Sequence, residues 1–349
     1  MKQHTFFSFL FIVSLWSCKT DTPEMTYQQN EYPLSTTDSL INREYDIVTL
    51  EQEDDYEGPV VATLMHKPPA DSNSTKAVLY LHGYGDYYFQ YHVGEFFRDQ
   101  GYHFYALELR KYGRSLLPHQ RPNYARDLHE YFPDIDAALT YITAQRQNTI
   151  LLNGHSTGGL TGSLYAAQGD QRDKIDGLIL NSPFFAFRSK GMEKAGINLF
   201  ASLGRFYKKA YVPMESEGVY GRSIHKDFKG EWDYNLTWKP LKGFPLYYAW
   251  LRAIRRGHRQ VKRGLQLDIP ILVLRSDKSW REETFAPEAM QADAVLDVIS
   301  MQARAEKLGS QVDIRVIEDG MHDVFLSPQS IREEAFRQTA DWLDQEFRQ

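Results

Sequence analysis

The clearest structural signal in this chain is Ile150-Leu151-Leu152-Asn153-Gly154-His155-Ser156-Thr157-Gly158-Gly159. It opens with an apolar run typical of a buried strand, and the small residues that follow predict a helix over 158–167. Between them stands the pattern Gly-x-Ser-x-Gly, which favours a very tight turn because the glycines remove side chains that would clash. The pattern predicts Ser156 as a nucleophile at a helix start, where backbone N–H groups lie nearby. The alternative, a chance glycine-rich turn, does not explain the strand and helix on either side.

Outward from this turn, short apolar runs alternate with longer amphipathic runs. We predict strands at 45–50, 60–66, 76–81, 102–107, 149–152, 177–180, 269–274 and 312–317, and helices at 127–144, 158–167, 295–308 and 330–347. Strands that alternate with helices indicate an α/β fold, with a mostly parallel central sheet and helices on both faces.

One region breaks this alternation. Residues 185–268 separate two predicted strands, and a connection of that length needs structure of its own. The region is rich in aromatic residues and carries 17 Lys and Arg against 7 Asp and Glu. We predict an inserted cap over the carboxyl edge of the sheet, with the core formed by 43–184 and 269–349.

Length and charge limit the classes of protein to consider. The chain has 349 residues, 42% of them hydrophobic, which is enough for a sizeable buried core. Its net charge of −6 gives no indication of a nucleic-acid partner. A single cysteine excludes an intrachain disulfide.

The amino terminus has the pattern of an export signal. A basic start is followed by the apolar run 5–16, which is short for a membrane span, and a small residue precedes Cys18. Leu15-Trp16-Ser17-Cys18 resembles a bacterial lipobox. We therefore expect 1–18 to be a lipoprotein-type signal peptide with Cys18 as the lipidation site, followed by a polar tether over 19–42. The expected location is membrane-anchored, periplasmic or at the cell surface. The alternative is an ordinary signal peptide with an incidental cysteine.

A serine hydroxyl needs a base, and His322 is the best placed histidine. It lies in Gly320-Met321-His322-Asp323, directly after the last predicted strand. Imidazole titrates near neutral pH, and hydrolases with this serine turn place serine, acid and histidine in that order along the chain. Of the 11 histidines, only His322 follows the final strand.

Two aspartates compete for the acid that orients the imidazole. Asp277 almost immediately follows the predicted strand 269–274, and position alone favours it. Asp293 comes later, just before a predicted helix. A turn cap at Asp277 and a helix N-cap at Asp293 are the structural alternatives.

A loop for the reacting oxygen follows the strand 76–81. The sequence there is His82-Gly83-Tyr84-Gly85-Asp86. We predict the backbone N–H groups of Tyr84 and Thr157 as oxyanion donors. A plain glycine turn is the alternative.

These motifs together resemble the α/β-hydrolase superfamily, and within it the serine aminopeptidase-like or monoacylglycerol lipase-like (lysophospholipase) branch. The resemblance covers residues 45 to 348 and includes a loop, Leu109-Arg110-Lys111-Tyr112-Gly113-Arg114-Ser115, in which Lys111 replaces the usual glycine. Family members commonly show Asp-x-Val before a helix at the catalytic aspartate. Asp293-Ala294-Val295 matches this pattern, so the resemblance favours Asp293 over Asp277 and makes 277–292 an insertion.

The resemblance implies a serine hydrolase that cleaves carboxylic esters through an acyl-enzyme, with no metal or organic cofactor. The expected anchor and aromatic cap favour a lipid-like ester such as a monoacylglycerol or a lysophospholipid. The alternative is a serine aminopeptidase acting on short peptides. A remote alternative is a non-catalytic surface binding protein, which predicts a broken Ser–His–Asp arrangement.

Overall fold

The computed structural model describes residues 34–189, 191–212, 218–282 and 284–347. The predicted signal peptide 1–18, with Cys18, and most of the predicted tether lie outside these residues. Among the helices of the described ranges, none combines the length and the apolar character that crossing a bilayer requires.

Within the described residues, eight strands form one central sheet. The strands of the chain are β1 (Asp46–Glu51), β2 (Val61–Lys67), β3 (Lys76–Leu81), β4 (His103–Glu108), β5 (Thr149–His155), β6 (Gly177–Asn181), β7 (Tyr211–Val212), β8 (Leu246–Tyr247), β9 (Ile271–Ser276) and β10 (Val312–Ile317). The sheet order is β1-β2-β4-β3-β5-β6-β9-β10, and β7 pairs separately with β8. All neighbours from β4 to β10 run parallel, while β1 and β2 are antiparallel to their neighbours. The predicted, mostly parallel sheet is confirmed.

Helices cover both faces of this sheet. They are α1 (Thr36–Glu44), α2 (Tyr91–Asp99), α3 (Phe132–Ala144), α4 (Thr157–Gln168), α5 (Gly191–Leu203), α6 (Val219–Ile224), α7 (Tyr248–Arg263), α8 (Val298–Ala305) and α9 (Gln329–Phe347). Tyr80 of β3 shares an apolar cluster with Phe97 of α2 and Trp342 of α9. The next residue back, Leu79, belongs to the cluster on the opposite face, with Leu164 of α4. Alternate side chains of one strand thus enter two separate cores.

Helix α1 corrects the predicted tether, because residues 36 to 42 are helical and packed. Ser35 and Asp38 form a reciprocal capping box, which satisfies N–H groups at the helix start. Ile41 is fully buried, and Arg114 lies 3.0 Å from the Asp38 carboxylate. One cap, one apolar residue and one ion pair fix a segment whose composition alone suggests a polar linker.

The segment between β6 and β9 is structured. It contains α5, α6 and α7 together with the β7–β8 pair. Trp232 donates its indole N–H to the carbonyl of Leu326 at 2.8 Å, and the Asn235 N–H donates to the Tyr87 hydroxyl at 2.7 Å. Leu326 follows β10 and Tyr87 follows β3, so this segment lies against loops at the carboxyl ends of the strands. The boundaries 185 and 268 stay a prediction.

Candidate active site

Ser156 occupies the turn between β5 and α4 in an unusual backbone conformation. Its φ is +53° and its ψ is −114°, a region that side-chain-bearing residues rarely adopt. The Ser156 N–H donates to the carbonyl of Asn181 at 3.0 Å, and its carbonyl accepts from the N–H groups of Leu160 and Phe184. These bonds hold the strained residue where the carboxyl end of the sheet meets the start of a helix.

Glycine is required on both sides of Ser156 for steric reasons. A Cβ atom on Gly158 would lie 2.3 Å from the carbonyl oxygen of Leu81, and one on Gly154 would lie 2.7 Å from the carbonyl oxygen of Gly158. Both contacts are with backbone, which cannot move aside cheaply. The Gly-x-Ser-x-Gly pattern is therefore explained by close approach of β5, α4 and the end of β3.

His322 hydrogen bonds to Ser156 and Asp293 through its two ring nitrogens. Its Nε2 lies 3.1 Å from Ser156 Oγ, and its Nδ1 lies 3.0 Å from Asp293 Oδ2. All three side chains are buried, with Ser156 retaining 8% exposure. The arrangement suits proton transfer from the hydroxyl to Nε2 while the carboxylate fixes the tautomer at Nδ1.

Asp293 is held ionised in this buried place. Its Oδ1 accepts from the N–H groups of Val295 at 2.8 Å and Leu296 at 2.7 Å. Burial opposes the charge, but His322 and these two N–H groups outweigh it and keep the pKa of Asp293 below its ordinary value. The carboxylate can therefore stabilise a positive charge on His322.

Asp277 lies elsewhere and has a structural contact. Its Oδ1 accepts the N–H of Asp319 at 2.9 Å, and its own N–H donates to the carbonyl of Ile317. Residues after Asp277 turn back, so that the Asp293 N–H donates to the Lys278 carbonyl at 3.0 Å and Ser279 pairs with Asp293. The structure thus places Asp293, and not Asp277, at the imidazole.

The loop after β3 passes directly beside the serine. A Cβ atom on Gly83 would lie 3.3 Å from the Cβ of Ser156. Among the described residues, neither the N–H of Tyr84 nor that of Thr157 has a hydrogen-bond partner. The Tyr84 side chain is fixed from the inserted segment, since its hydroxyl donates to the Pro245 carbonyl at 2.7 Å. These two N–H groups remain available for a developing oxyanion.

Lys111 shows how the loop after β4 accommodates its departure from glycine. Its φ is +67°, a conformation that costs a residue with a side chain about 1 kcal/mol. Its buried ammonium pairs with Asp55 at 2.6 Å and Glu57 at 2.9 Å. Its carbonyl accepts from the backbone and side chain of Asn123, whose Oδ1 in turn accepts the Gly85 N–H at 2.8 Å. The loop therefore keeps a shape that supports the loop after β3.

Asn181 links the serine turn to the histidine loop, and the motifs gave no indication of it. Its carbonyl accepts the Ser156 N–H, while its side-chain amide donates to Asp323 at 2.6 Å and accepts the Val324 N–H at 3.2 Å. Asp323 directly follows His322, so one side chain at the end of β6 couples both loops. The signal available in sequence is a polar residue that ends an apolar strand.

Two further residues reach the site from the inserted segment. The Tyr220 ring packs edge-on against His322, with ring centroids 5.3 Å apart. Lys239 forms a buried ion pair with Asp86, which lies in the loop after β3, at 2.8 Å. Neither belongs to a motif, and Lys239 is one basic residue among many in that segment. Across the described part of the chain, no group of three or more His, Cys, Asp or Glu residues is arranged to hold a metal ion.

Comparison with known proteins bears on the family and the fold. The profile of the family described as serine aminopeptidase, S33, matches residues 72–329. No curated protein matches this chain in sequence. The match agrees with the resemblance drawn from the motifs and confirms the superfamily and branch.

Solved structures of similar shape include lipases and an esterase. One is a soluble variant of monoglyceride lipase from Saccharomyces cerevisiae with a substrate analog, at 18% identity and a TM-score of 0.63 over 86% of this chain and 97% of that one. Another is the monoacylglycerol lipase of Paleococcus ferrophilus, at 19% identity and a TM-score of 0.59 over 87% of this chain and 99% of that one. A third is Est1E from Butyrivibrio proteoclasticus with ferulic acid, at 16% identity and a TM-score of 0.55 over 86% of this chain and 100% of that one. At these identities the likeness shows the fold, and the predicted α/β-hydrolase fold is confirmed.

Proposed function

Since the chain belongs to the serine aminopeptidase S33 family of hydrolases, we propose that it cleaves carboxylic esters with Ser156 as nucleophile, His322 as base and Asp293 as acid. The observation that carries the proposal is the pair of hydrogen bonds at His322, which joins Ser156 to a buried, ionised Asp293. A non-catalytic binding protein gives no reason to keep this arrangement unbroken.

The reaction follows from these positions. As Ser156 Oγ attacks the ester carbonyl carbon, its proton moves to His322 Nε2, and Asp293 stabilises the resulting imidazolium. The carbonyl oxygen becomes an oxyanion that accepts hydrogen bonds from the N–H groups of Tyr84 and Thr157. When the C–O bond breaks, His322 returns the proton to the leaving alcohol. Water, deprotonated by His322, then attacks the acyl-enzyme and frees Ser156.

We propose a lipid-like ester as substrate, and the outer surface of the inserted segment supports this choice. Met192 and Phe206 are 87% and 74% exposed, which is unusual for large apolar residues. Exposed basic residues lie close to them in the sequence: Lys194, Arg205, Lys208 and Lys209. Apolar side chains among cations suit the surface of an anionic membrane. Lipidation of Cys18 would keep the enzyme at such a surface, and a Cys18→Ser variant tests that anchor by its release from the membrane fraction.

The alternative peptidase activity is less well supported by the site. A substrate ammonium group requires an unpaired carboxylate near Ser156. Asp86, the carboxylate beside the loop after β3, is already paired with Lys239 at 2.8 Å. An ester has no such requirement.

The proposal is tested with p-nitrophenyl esters of increasing acyl length, alongside an aminoacyl p-nitroanilide, using wild type and Ser156→Ala. We expect ester turnover that falls by about 10⁴-fold or more in the variant. Ester turnover that survives in Ser156→Ala contradicts the mechanism. Anilide turnover without ester turnover would instead establish the peptidase.

A further inference from the structure

Asp86 is a buried carboxylate that ties two parts of the site together. It is 1% exposed. One of its oxygens, Oδ2, accepts the N–H of Gly83 at 3.2 Å. The other, Oδ1, accepts from the ammonium of Lys239 at 2.8 Å. Gly83 belongs to the loop beside Ser156 and Lys239 to the inserted segment, so the carboxylate bridges the two.

Lys239 is fixed by its surroundings. It is 7% exposed, and its ammonium lies 5.6 to 5.9 Å from the ring centroids of Phe89, Tyr220 and Tyr234. Aromatic faces stabilise a cation where water is excluded. Its backbone N–H donates to the carbonyl of Asn235 at 2.9 Å, which places the side chain. Within the part of the chain that the structure describes, the ion pair of this ammonium is with Asp86.

The Asp86–Lys239 ion pair acts on Tyr84, which lies between two anchored glycines. Gly83 is held by Asp86, and Gly85 by Asn123 at 2.8 Å. The N–H of Tyr84 lies between these points. The Tyr84 N–H lies in a peptide plane that is flanked by the planes carrying the Gly83 and Gly85 N–H groups. Releasing Gly83 therefore lets the plane of the Tyr84 N–H rotate. An oxyanion donor that is misaligned stabilises the transition state less.

We propose that Lys239 is a positioning residue, which acts through Asp86 to hold the Gly83 N–H and thereby aim the Tyr84 N–H at the reacting oxygen. The inference rests on the proposed oxyanion role of Tyr84. It gives one residue of the inserted segment a role in catalysis, because without Lys239 the Asp86 carboxylate loses its cationic partner. Substrate contact is not required of Lys239 in this account.

The charges around Asp86 explain why the partner matters. The groups that face its carboxylate are the ammonium of Lys239, the imidazoles of His82 and His155, and the phenols of Tyr80, Tyr112, Tyr220 and Tyr234. Burial lowers the pKa of His82 to about 4 and also lowers that of His155, so both are neutral near pH 7. Burial opposes the charge of Asp86, but its polar surroundings, among which Lys239 has the largest effect, keep its pKa below the ordinary value.

The first experiment compares Lys239→Met with Lys242→Met, an exposed lysine of the same segment. With p-nitrophenyl butyrate we expect Lys239→Met to lower kcat by roughly 10- to 100-fold with KM within about two-fold, and Lys242→Met to leave both unchanged. The loss in Lys239→Met should also grow as pH rises. An unpaired Asp86 is tolerated while protonated, but it withdraws from Gly83 towards water once ionised. A loss confined to KM, or a ratio to wild type that is independent of pH, overturns the proposal.

A neutral background keeps the test valid if Lys239→Met does not fold. In Asp86→Asn/Lys239→Met the amide oxygen still accepts the Gly83 N–H, whereas in Asp86→Ala/Lys239→Met that acceptor is gone. Neither protein buries an unpaired charge. We expect the Asn variant to recover most of the wild-type kcat and the Ala variant to remain roughly 10-fold or more below it. Equal kcat in the two proteins contradicts the positioning role.

Labelling by a fluorophosphonate separates this inference from the proposed function. The reagent needs an activated Ser156 and an oxyanion site, but no ester substrate. If wild type hydrolyses no ester, the proposed function fails. The labelling rates of the same variants, which should follow the same order, would then still decide the role of Lys239.

Discussion

Ser156 and Asp293 both hydrogen bond to His322, but the chain brings them there in different ways. Ser156 lies in a short pattern whose shape is imposed by backbone contacts of the neighbouring Gly154 and Gly158. Asp293 is placed by pairing with residues just after β9, since its N–H donates to the Lys278 carbonyl and Ser279 pairs with it. The first placement is decided by local steric exclusion and the second by tertiary pairing. Steric reasoning on adjacent residues therefore predicts Ser156, whereas Asp293 could be favoured over Asp277 only through the family resemblance of Asp293-Ala294-Val295.

The largest effect that tests this comparison is expected at the acid. Asp293→Asn should lower kcat by about 10³- to 10⁴-fold, because an amide at this position no longer stabilises the imidazolium and favours the wrong tautomer. Asp277→Asn should leave kcat near that of wild type, since its carboxylate contacts Asp319 and the neighbouring Ser276 and Lys278, and not His322. Steady-state kinetics with circular dichroism measures both. The assignment is wrong if Asp277→Asn is the variant that loses turnover while both proteins remain folded.

A second test addresses the steric exclusion around Ser156, through two glycines of α4. A Cβ at Gly158 meets the carbonyl oxygen of Leu81 at 2.3 Å, whereas one at Gly162 meets only side chains at ordinary distances, Leu81 at 3.5 Å and Leu152 at 4.0 Å. We expect Gly158→Ala to lower the free energy of unfolding by about 3 kcal/mol, from overpacking against backbone. Gly162→Ala should be neutral or stabilise the protein by up to about 1 kcal/mol, because alanine favours helix. Urea denaturation of the pair decides the matter, and equal stabilities would remove the steric explanation of the pattern.

The sheet was predictable because each strand shows its own signal. The predicted bounds of β3 and β10 match those observed, since β3 is a mostly apolar run and β10 is rich in β-branched residues that alternate with polar ones. The predicted helix 295–308 is shorter in the structure, at Val298–Ala305. At its start, Asp293 accepts the N–H groups of Val295 and Leu296 in a turn, and Asp297 caps the helix by accepting the Ser300 N–H. Element types therefore follow from periodicity, while their ends depend on which side chains cap them.

The parts of the site that sequence did not indicate depend on contacts between distant residues. Lys239 and Asp86 are 153 positions apart, and a lysine in a basic segment gives no sign that it is buried. Composition predicts a tether where helix α1 lies, because the helix is fixed by Arg114, a residue in a loop far along the chain. Position along the chain alone favours Asp277, because distance in sequence from β9 misrepresents distance in space, and it is the family resemblance that favours Asp293, the aspartate found at His322. His322 was easier to find, because the order of strands alone places the loop after β10 near Ser156.

The smallest expected effect measures the strain stored in the serine turn itself. Ser156→Ala and Ser156→Gly both remove the hydroxyl, but only glycine relaxes at φ +53° and ψ −114°. Relief of such strain contributes about 1–3 kcal/mol, and the greater entropy of an unfolded glycine offsets about 0.5–1 kcal/mol of it. We therefore expect Ser156→Gly to be more stable than Ser156→Ala by about 1 kcal/mol in urea denaturation. If Ser156→Ala is equally stable, the turn is held without strain, and only the two flanking glycines explain the local placement of Ser156.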